Sequence, residues 1–336
     1  MKTVEIFDLS KYRGALMGAA MLIIILFHMP LSRTSTWFGL ARCGNVGVDM
    51  FLFLSGIGLW YAWTKNPSFR HFYWRRYIRI YPAWLIVASV FYIDNYLTAK
   101  GGGYSPNIFH LVANILVNWS FWRIDDLTFW FIPSIMMMYS FAPLYMRLIR
   151  RHPVWRWMPL LALLWYALVR CYTPLWGAVG HVEIFWSRIA VFLLGVNCGV
   201  WVQEKRSFES SGWIIIAVTF VMSLWLCVSI EASRRSAFPP LIERYAYIPL
   251  SVSGMFLLCA LFRILPQWCL RVFSFIGGIS LELYLVHVQF VLKYIKVYHW
   301  GYWTTTLAVL LISVPLAWLL SKLVDWFVRR LPQRGI

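Results

Sequence analysis

The stretch "GALMGAAMLIIILFHMP" (residues 14–30) is an unbroken apolar run that ends on a histidine and then a proline. A run of about 20 such residues is long enough to enter a bilayer as a helix. The chain around it has the same character. Of its 336 residues, 61% are hydrophobic, 19% are aromatic and 13% are charged. A soluble domain carries about 25% charge. An excess of Trp, Tyr and Phe suits the aromatic belts of a bilayer protein. These features point to an all-α, polytopic membrane protein.

Ten apolar stretches qualify as candidate spans: 14–30, 46–64, 78–97, 128–146, 156–173, 185–203, 211–230, 244–262, 271–291 and 303–328. The stretch 104–122 is interrupted by Asn and Trp and reads as an interfacial helix or half-helix. Short joining loops predict a single membrane domain over 1–336, with no appended soluble domain. No cleavable leader is expected, because no small-residue cleavage site closes the first run.

The net charge of +18 would fit a nucleic-acid partner if the charge formed one patch. Instead the basic residues sit in short loops between apolar runs, the positive-inside pattern. Segment 65–79 holds Lys65, Arg70, Arg75, Arg76 and Arg79, whereas 31–45 holds Arg33 and Arg42. That contrast, with an even number of spans, places both termini in the cytoplasm and gives nucleic acid no role. The six cysteines are scattered without a C-x-x-C pair. No metal site is expected.

Ionisable residues inside spans cost roughly 2.5–3.5 kcal/mol on insertion scales, so each one needs a reason. His28 is cheap to bury because imidazole can be neutral, and it can serve as a general base. It can equally be an inert interface histidine. Asp49 opens the second span; it reads as a first-turn acid favouring the helix dipole or as a carboxylate that orients a histidine. Arg76 and Arg79 share a helix face, and with Arg75 they form either an ordinary cytoplasmic anchor or a phosphate clamp. Arg188, Glu282 and His287 are further intramembrane groups, either supporting a site or gluing helices together.

The order of these motifs is informative. A histidine ends the first span; then come "GVDMFLFLSG" (47–56), "RRYIRIYP" (75–82), "RIAVFLLG" (188–195) and "SLELYLVH" (280–287). In this order and spacing the chain resembles the bacterial acyltransferase 3 family, integral-membrane O-acyltransferases that modify extracytoplasmic glycans. The resemblance runs over nearly the whole chain. It implies acyl transfer, acetyl being the expected group, from cytoplasmic acyl-CoA to a hydroxyl of an extracytoplasmic or lipid-linked glycan. The implied setting is the bacterial inner membrane, with membrane lipids and the saccharide acceptor as partners.

By resemblance His28 and Asp49 are catalytic, and Arg76 and Arg79 hold the CoA end. One position departs from the family pattern. Arg-Gly normally lies eleven residues before the histidine, and here that pair reads Met17-Gly18. The nearest arginine is Arg13, one turn earlier. Either Arg13 serves in its place or the enzyme differs in donor or acceptor. Two other functions stay open on the residues alone. One is a transporter or flippase with a proton relay through His28, Asp49 and Glu282; the other is an inactive partner subunit of a glycan-assembly complex.

Overall fold

The computed structural model describes residues 3–98, 103–124, 126–233 and 240–330. The described chain is almost entirely helical; its one sheet is a two-residue antiparallel pair, Val4–Glu5 with Ser207–Phe208. The principal helices are α1 (Arg13–His28), α2 (Val46–Lys65), α3 (Phe69–Thr98), α4 (Phe131–Arg151) and α5 (Met158–Cys171). They continue with α6 (Glu183–Gln203), α7 (Gly212–Ala232), α8 (Pro240–Ile264), α9 (Gln267–Gly278), α10 (Ser280–Val286) and α11 (Tyr302–Arg330).

Among the described residues, six helical stretches are long and apolar enough to cross a membrane, and a bent pair makes a seventh. The six are Phe38–Lys65, Phe69–Thr98, Thr173–Gln203, Gly212–Ala232, Leu241–Ile264 and Tyr302–Arg330. The chain is therefore a multi-pass membrane protein. Three further apolar stretches expected to span form helices that fall short of this standard. Helix α1 has 16 residues, a rise of about 24 Å against a hydrocarbon core of about 30 Å. Helix α5 has 14. Helix α4 carries Arg147, Arg150 and Arg151 in its last turns. The stretch 104–122 breaks at Asn118, whose left-handed φ of 51° ends the helix Ile108–Val117. The expectation that both termini lie in the cytoplasm falls partly on 1–2 and 331–336, which lie outside the described residues.

Helices α2 and α6 form the centre, mostly buried, while α7 and α11 turn most of their apolar side chains outward. Ile214, Ile215, Val218 and Trp225 on α7 are exposed, as a lipid-facing surface requires. Glycine sets the central contacts. A Cβ on Gly195 of α6 would lie 2.2 Å from the backbone oxygen of Phe53 on α2. The crossing of α1 and α9 is closer still: a Cβ on Gly18 would lie 1.9 Å from the Phe273 oxygen, and one on Gly277 would lie 2.0 Å from the Gly14 oxygen. Backbone contact of this kind supplies the dispersion energy that holds helices together where lipid tails remove any hydrophobic drive.

The stretch 271–291, expected to be one span, is broken. Helix α9 and the segment Ser280–Tyr298 meet at a bend of 60° around Gly278 and Ile279. Directly after α10, residues His287–Leu292 wind as a π-helix. Such local π segments mark functional positions more often than ordinary helix does. The bend and the π turn each contribute to the site described next, through Gly278 and His287.

Candidate active site

Helix α1 delivers His28 at its last position, and the π turn after α10 delivers His287 against it. His287 Nε2 lies 3.3 Å from His28 Nδ1, and the two rings are 5.0 Å apart at 71°. Backbone carbonyls fix which nitrogens carry protons. His287 Nδ1 lies 2.9 Å from the Leu283 oxygen and 3.0 Å from the Tyr284 oxygen. A carbonyl only accepts, so Nδ1–H donates and Nε2 keeps a lone pair. His28 Nδ1 lies 2.8 Å from the Ile24 oxygen. Its Nδ1–H therefore donates to that carbonyl and is shared with His287 Nε2. His28 Nε2 is left as an unprotonated base. An imidazole held in one tautomer by its far nitrogen is equipped for general-base chemistry or nucleophilic attack.

Asp49, expected as a catalytic residue that orients a histidine, is paired with Arg188 in this structure, and the side chain on His28 Nδ1 is His287. Its carboxylate forms an ion pair with Arg188 on α6, and Arg188 Nη2 donates to Asn45 Oδ1 at 3.0 Å. Both side chains of the pair are almost fully buried. A carboxylate buried that deeply must find a cation, and Arg188 is the one the α2–α6 contact provides. Asp49 thus ties two central helices together through Arg188.

At the other end of α1 lies a cavity of about 460 Å³. Arg13 on α1 and Arg75, Arg76 and Arg79 on α3 line it, along with Met17, Ser274 and Gly278. Among the described residues none of these four arginines has a carboxylate partner. Arg13 Nε donates to the Leu54 oxygen at 3.3 Å, and Arg79 Nη2 donates to the Gly278 oxygen at 3.0 Å. Arg76 Nε is buried without a partner. Gly58 leaves room for Arg13, since a Cβ there would touch its guanidinium at 3.0 Å. The Arg79 bond satisfies a carbonyl at the C-terminus of α9, where a cation is favoured. Four unpaired guanidinium groups around one cavity suit a polyanion such as a phosphate ester.

The cavity runs from these arginines toward the histidines. Its far wall comprises Ile24, one turn before His28, and Tyr284, whose ring lies 6.2 Å from that of His287. Phe131 at the start of α4 closes the same wall, its N–H donating to Tyr284 Oη at 3.2 Å. The structure thus brings Arg13, Arg76 and Arg79 together and pairs His28 with His287. Glu282 stands apart: it is buried, its Oε2 has no hydrogen-bond partner, and Arg79 is the cation whose charge acts on it. Tyr284 and Phe131 were not singled out from the sequence, although Tyr284 lies in "SLELYLVH" (280–287) and Phe131 in the expected span 128–146.

Neither the curated proteins nor the solved structures contain a match to the chain. A family model described as an acyltransferase domain, that of the acyltransferase 3 family, matches residues 15–322. The match begins within α1 and ends within α11, so it covers both histidines and all of the cavity's arginines except Arg13. Its extent makes the assignment: this chain belongs to the acyltransferase 3 family of acyltransferases.

Proposed function

We propose that the protein is an O-acyltransferase of the bacterial cytoplasmic membrane. It moves an acyl group, acetyl in the first instance, from cytoplasmic acyl-CoA to a hydroxyl of an extracytoplasmic or lipid-linked glycan. The observation that carries this reading is a cavity lined at one end by four arginines, none with a carboxylate partner among the described residues, and walled at the other by residues one turn from a histidine pair. In this reading Arg13, Arg75, Arg76 and Arg79 hold the CoA phosphates, and the pantetheine arm lies along the cavity. His28 Nε2 takes the proton from the acceptor hydroxyl as its oxygen attacks the thioester carbonyl. The carbon–sulfur bond breaks, and the departing thiolate recovers the proton from His28. In this scheme no step passes through a metal.

The short helices α1 and α5, with the arginine-ended α4, complete ten crossings in this reading, with both termini cytoplasmic. A helix shorter than the bilayer is accommodated by local thinning or by flanking side chains. Arg13 stands in the cavity where the family's arginine is replaced by Met17, which supports an active enzyme over an inactive subunit. The relay required of a transporter finds no such support, because Asp49 is bound to Arg188 and, among the described residues, Glu282 makes no hydrogen bond to either histidine.

The test is thiol release from acetyl-CoA by the purified protein in nanodiscs, with and without a saccharide acceptor. Acceptor-dependent release, with the acetyl group recovered on the saccharide, is the expected result. Movement of saccharide across a sealed membrane with no thioester consumed would overturn the reading.

A further inference from the structure

A second cavity, of about 890 Å³, lies on the other side of α1. That volume is near the top of the range for ligand pockets, roughly 300–1,000 Å³. Ile23 and Leu26 of α1 line it, whereas Arg13, Met17 and Ile24 line the arginine cavity. At 100° per residue these are roughly opposite faces of one helix. Its walls are apolar almost throughout. The cavity follows α8 from Leu250 to Leu261, about 16 Å of helix rise, which is half or more of the ~30 Å hydrocarbon thickness. Leu40, Leu261 and Trp303 on its rim are exposed, so it opens toward lipid.

The groove reaches the last turn of α1, lined by Leu26 and Leu31 on either side of His28 in the chain. His28 is the last helical residue, the backbone is extended at Met29, and Leu31 then lines the groove. Tyr302, another lining residue, donates to the Leu26 oxygen at 3.0 Å and fixes this corner. One cation sits there. Arg42 is half-buried, stacks on the Phe27 ring at 4.1 Å, and its charge reaches His28. It follows Ala41 and precedes Cys43, both in the groove wall, and among the described residues it has no carboxylate partner.

An apolar trough with an unpaired guanidinium at the end nearest the histidines complements an amphiphile with a long hydrocarbon tail and a phosphate head. We infer that this groove seats the tail of a lipid-phosphate-linked saccharide, the acceptor, with its head group over the end of α1 beside Arg42 and His28. The inference rests on the acyl-transfer reading for the word acceptor, and on the groove and Arg42 for the lipid phosphate. The acyl chain of the donor is a poor occupant, because the donor cavity lies on the other face of α1.

The experiment uses the full chain in phosphatidylethanolamine–phosphatidylglycerol nanodiscs containing a small fraction of a long-chain prenyl phosphate. A photoactivatable benzoylphenylalanine replaces Leu257 in the groove wall, and the adducts are identified by mass. The prenyl phosphate should be captured far beyond its share of the lipid. Leu258→Trp, which fills the groove, should cut that capture at least tenfold, and Arg42→Gln should weaken it by about tenfold, one charge-assisted contact. If Leu258→Trp fails to fold, Leu224→Phe serves the same purpose. Adducts in proportion to lipid abundance, or prenyl capture indifferent to both the filling variant and Arg42→Gln, would overturn the inference. Acetyl-CoA affinity measured on the same discs separates the two readings: its absence with prenyl capture retained removes acyl transfer and leaves the groove.

Discussion

His28 was conspicuous as a histidine in an apolar run, but its partner was not legible, because His287 lies 259 residues away in the chain. Sequence order suggested the acid Asp49, yet a fully buried carboxylate is claimed by the strongest cation in reach, and that is Arg188. The account makes His287 a positioning residue for His28. His287→Leu should lower kcat by about tenfold to a hundredfold while the KM for acyl-CoA stays near the parent value, since the arginine cavity is untouched. His287→Gln should recover part of the loss, because an amide oxygen can still accept from His28 Nδ1–H. Equal losses in both variants, or a shift confined to KM, would remove this role. Arg13 has its own check. Arg13→Ala should raise the KM for acyl-CoA, and Met17→Arg on that background should lower it again, because both positions line the cavity. Parent-like kinetics in Arg13→Ala would leave the donor to the α3 arginines alone.

Elements were legible where apolar length alone decides them. The stretches 211–230 and 303–328 became α7 and α11 with few changes at their ends. The break between α9 and α10 was hidden, because a Gly-Gly-Ile-Ser step reads as an ordinary helix interruption and its 60° bend depends on packing. The role of Asp49 belongs at this scale, as a clamp between α2 and α6. Removing one partner of a buried pair costs about 3–5 kcal/mol, because the other charge is left stranded. Asp49→Leu should therefore lower thermal stability sharply in detergent, and Asp49→Leu with Arg188→Met should restore much of it. If Asp49→Leu is as stable as the parent but catalytically dead, Asp49 acts in chemistry and the clamp is wrong. Gly18→Leu is expected to disrupt α1 against α9 in the same stability measurement, because a Cβ there already overlaps the Phe273 carbonyl.

Two cavities flank α1, the arginine cavity on one face and the apolar groove on the other, and His28 ends the helix one turn beyond Ile24 of the first and two residues beyond Leu26 of the second. The donor-inside scheme requires the arginine end of that cavity to face the cytoplasm. In a cysteine-free background, single cysteines at 65–70 should resist an impermeant thiol reagent added outside, and those at 31–40 should react. The reverse labelling would invert the scheme. The central claim, that His28 serves as the base for acyl transfer from a donor on one side of the membrane to an acceptor at the other, is tested most directly in sealed proteoliposomes of one orientation. Acetyl-CoA labelled on the acetyl group is supplied only on the side of Arg76, and a lipid-linked saccharide is recovered from the opposite leaflet. The account predicts label on the saccharide with the parent protein and a loss of at least about a hundredfold with His28→Ala, while the affinity for acetyl-CoA is unchanged. Undiminished transfer by a correctly inserted His28→Ala protein would contradict it.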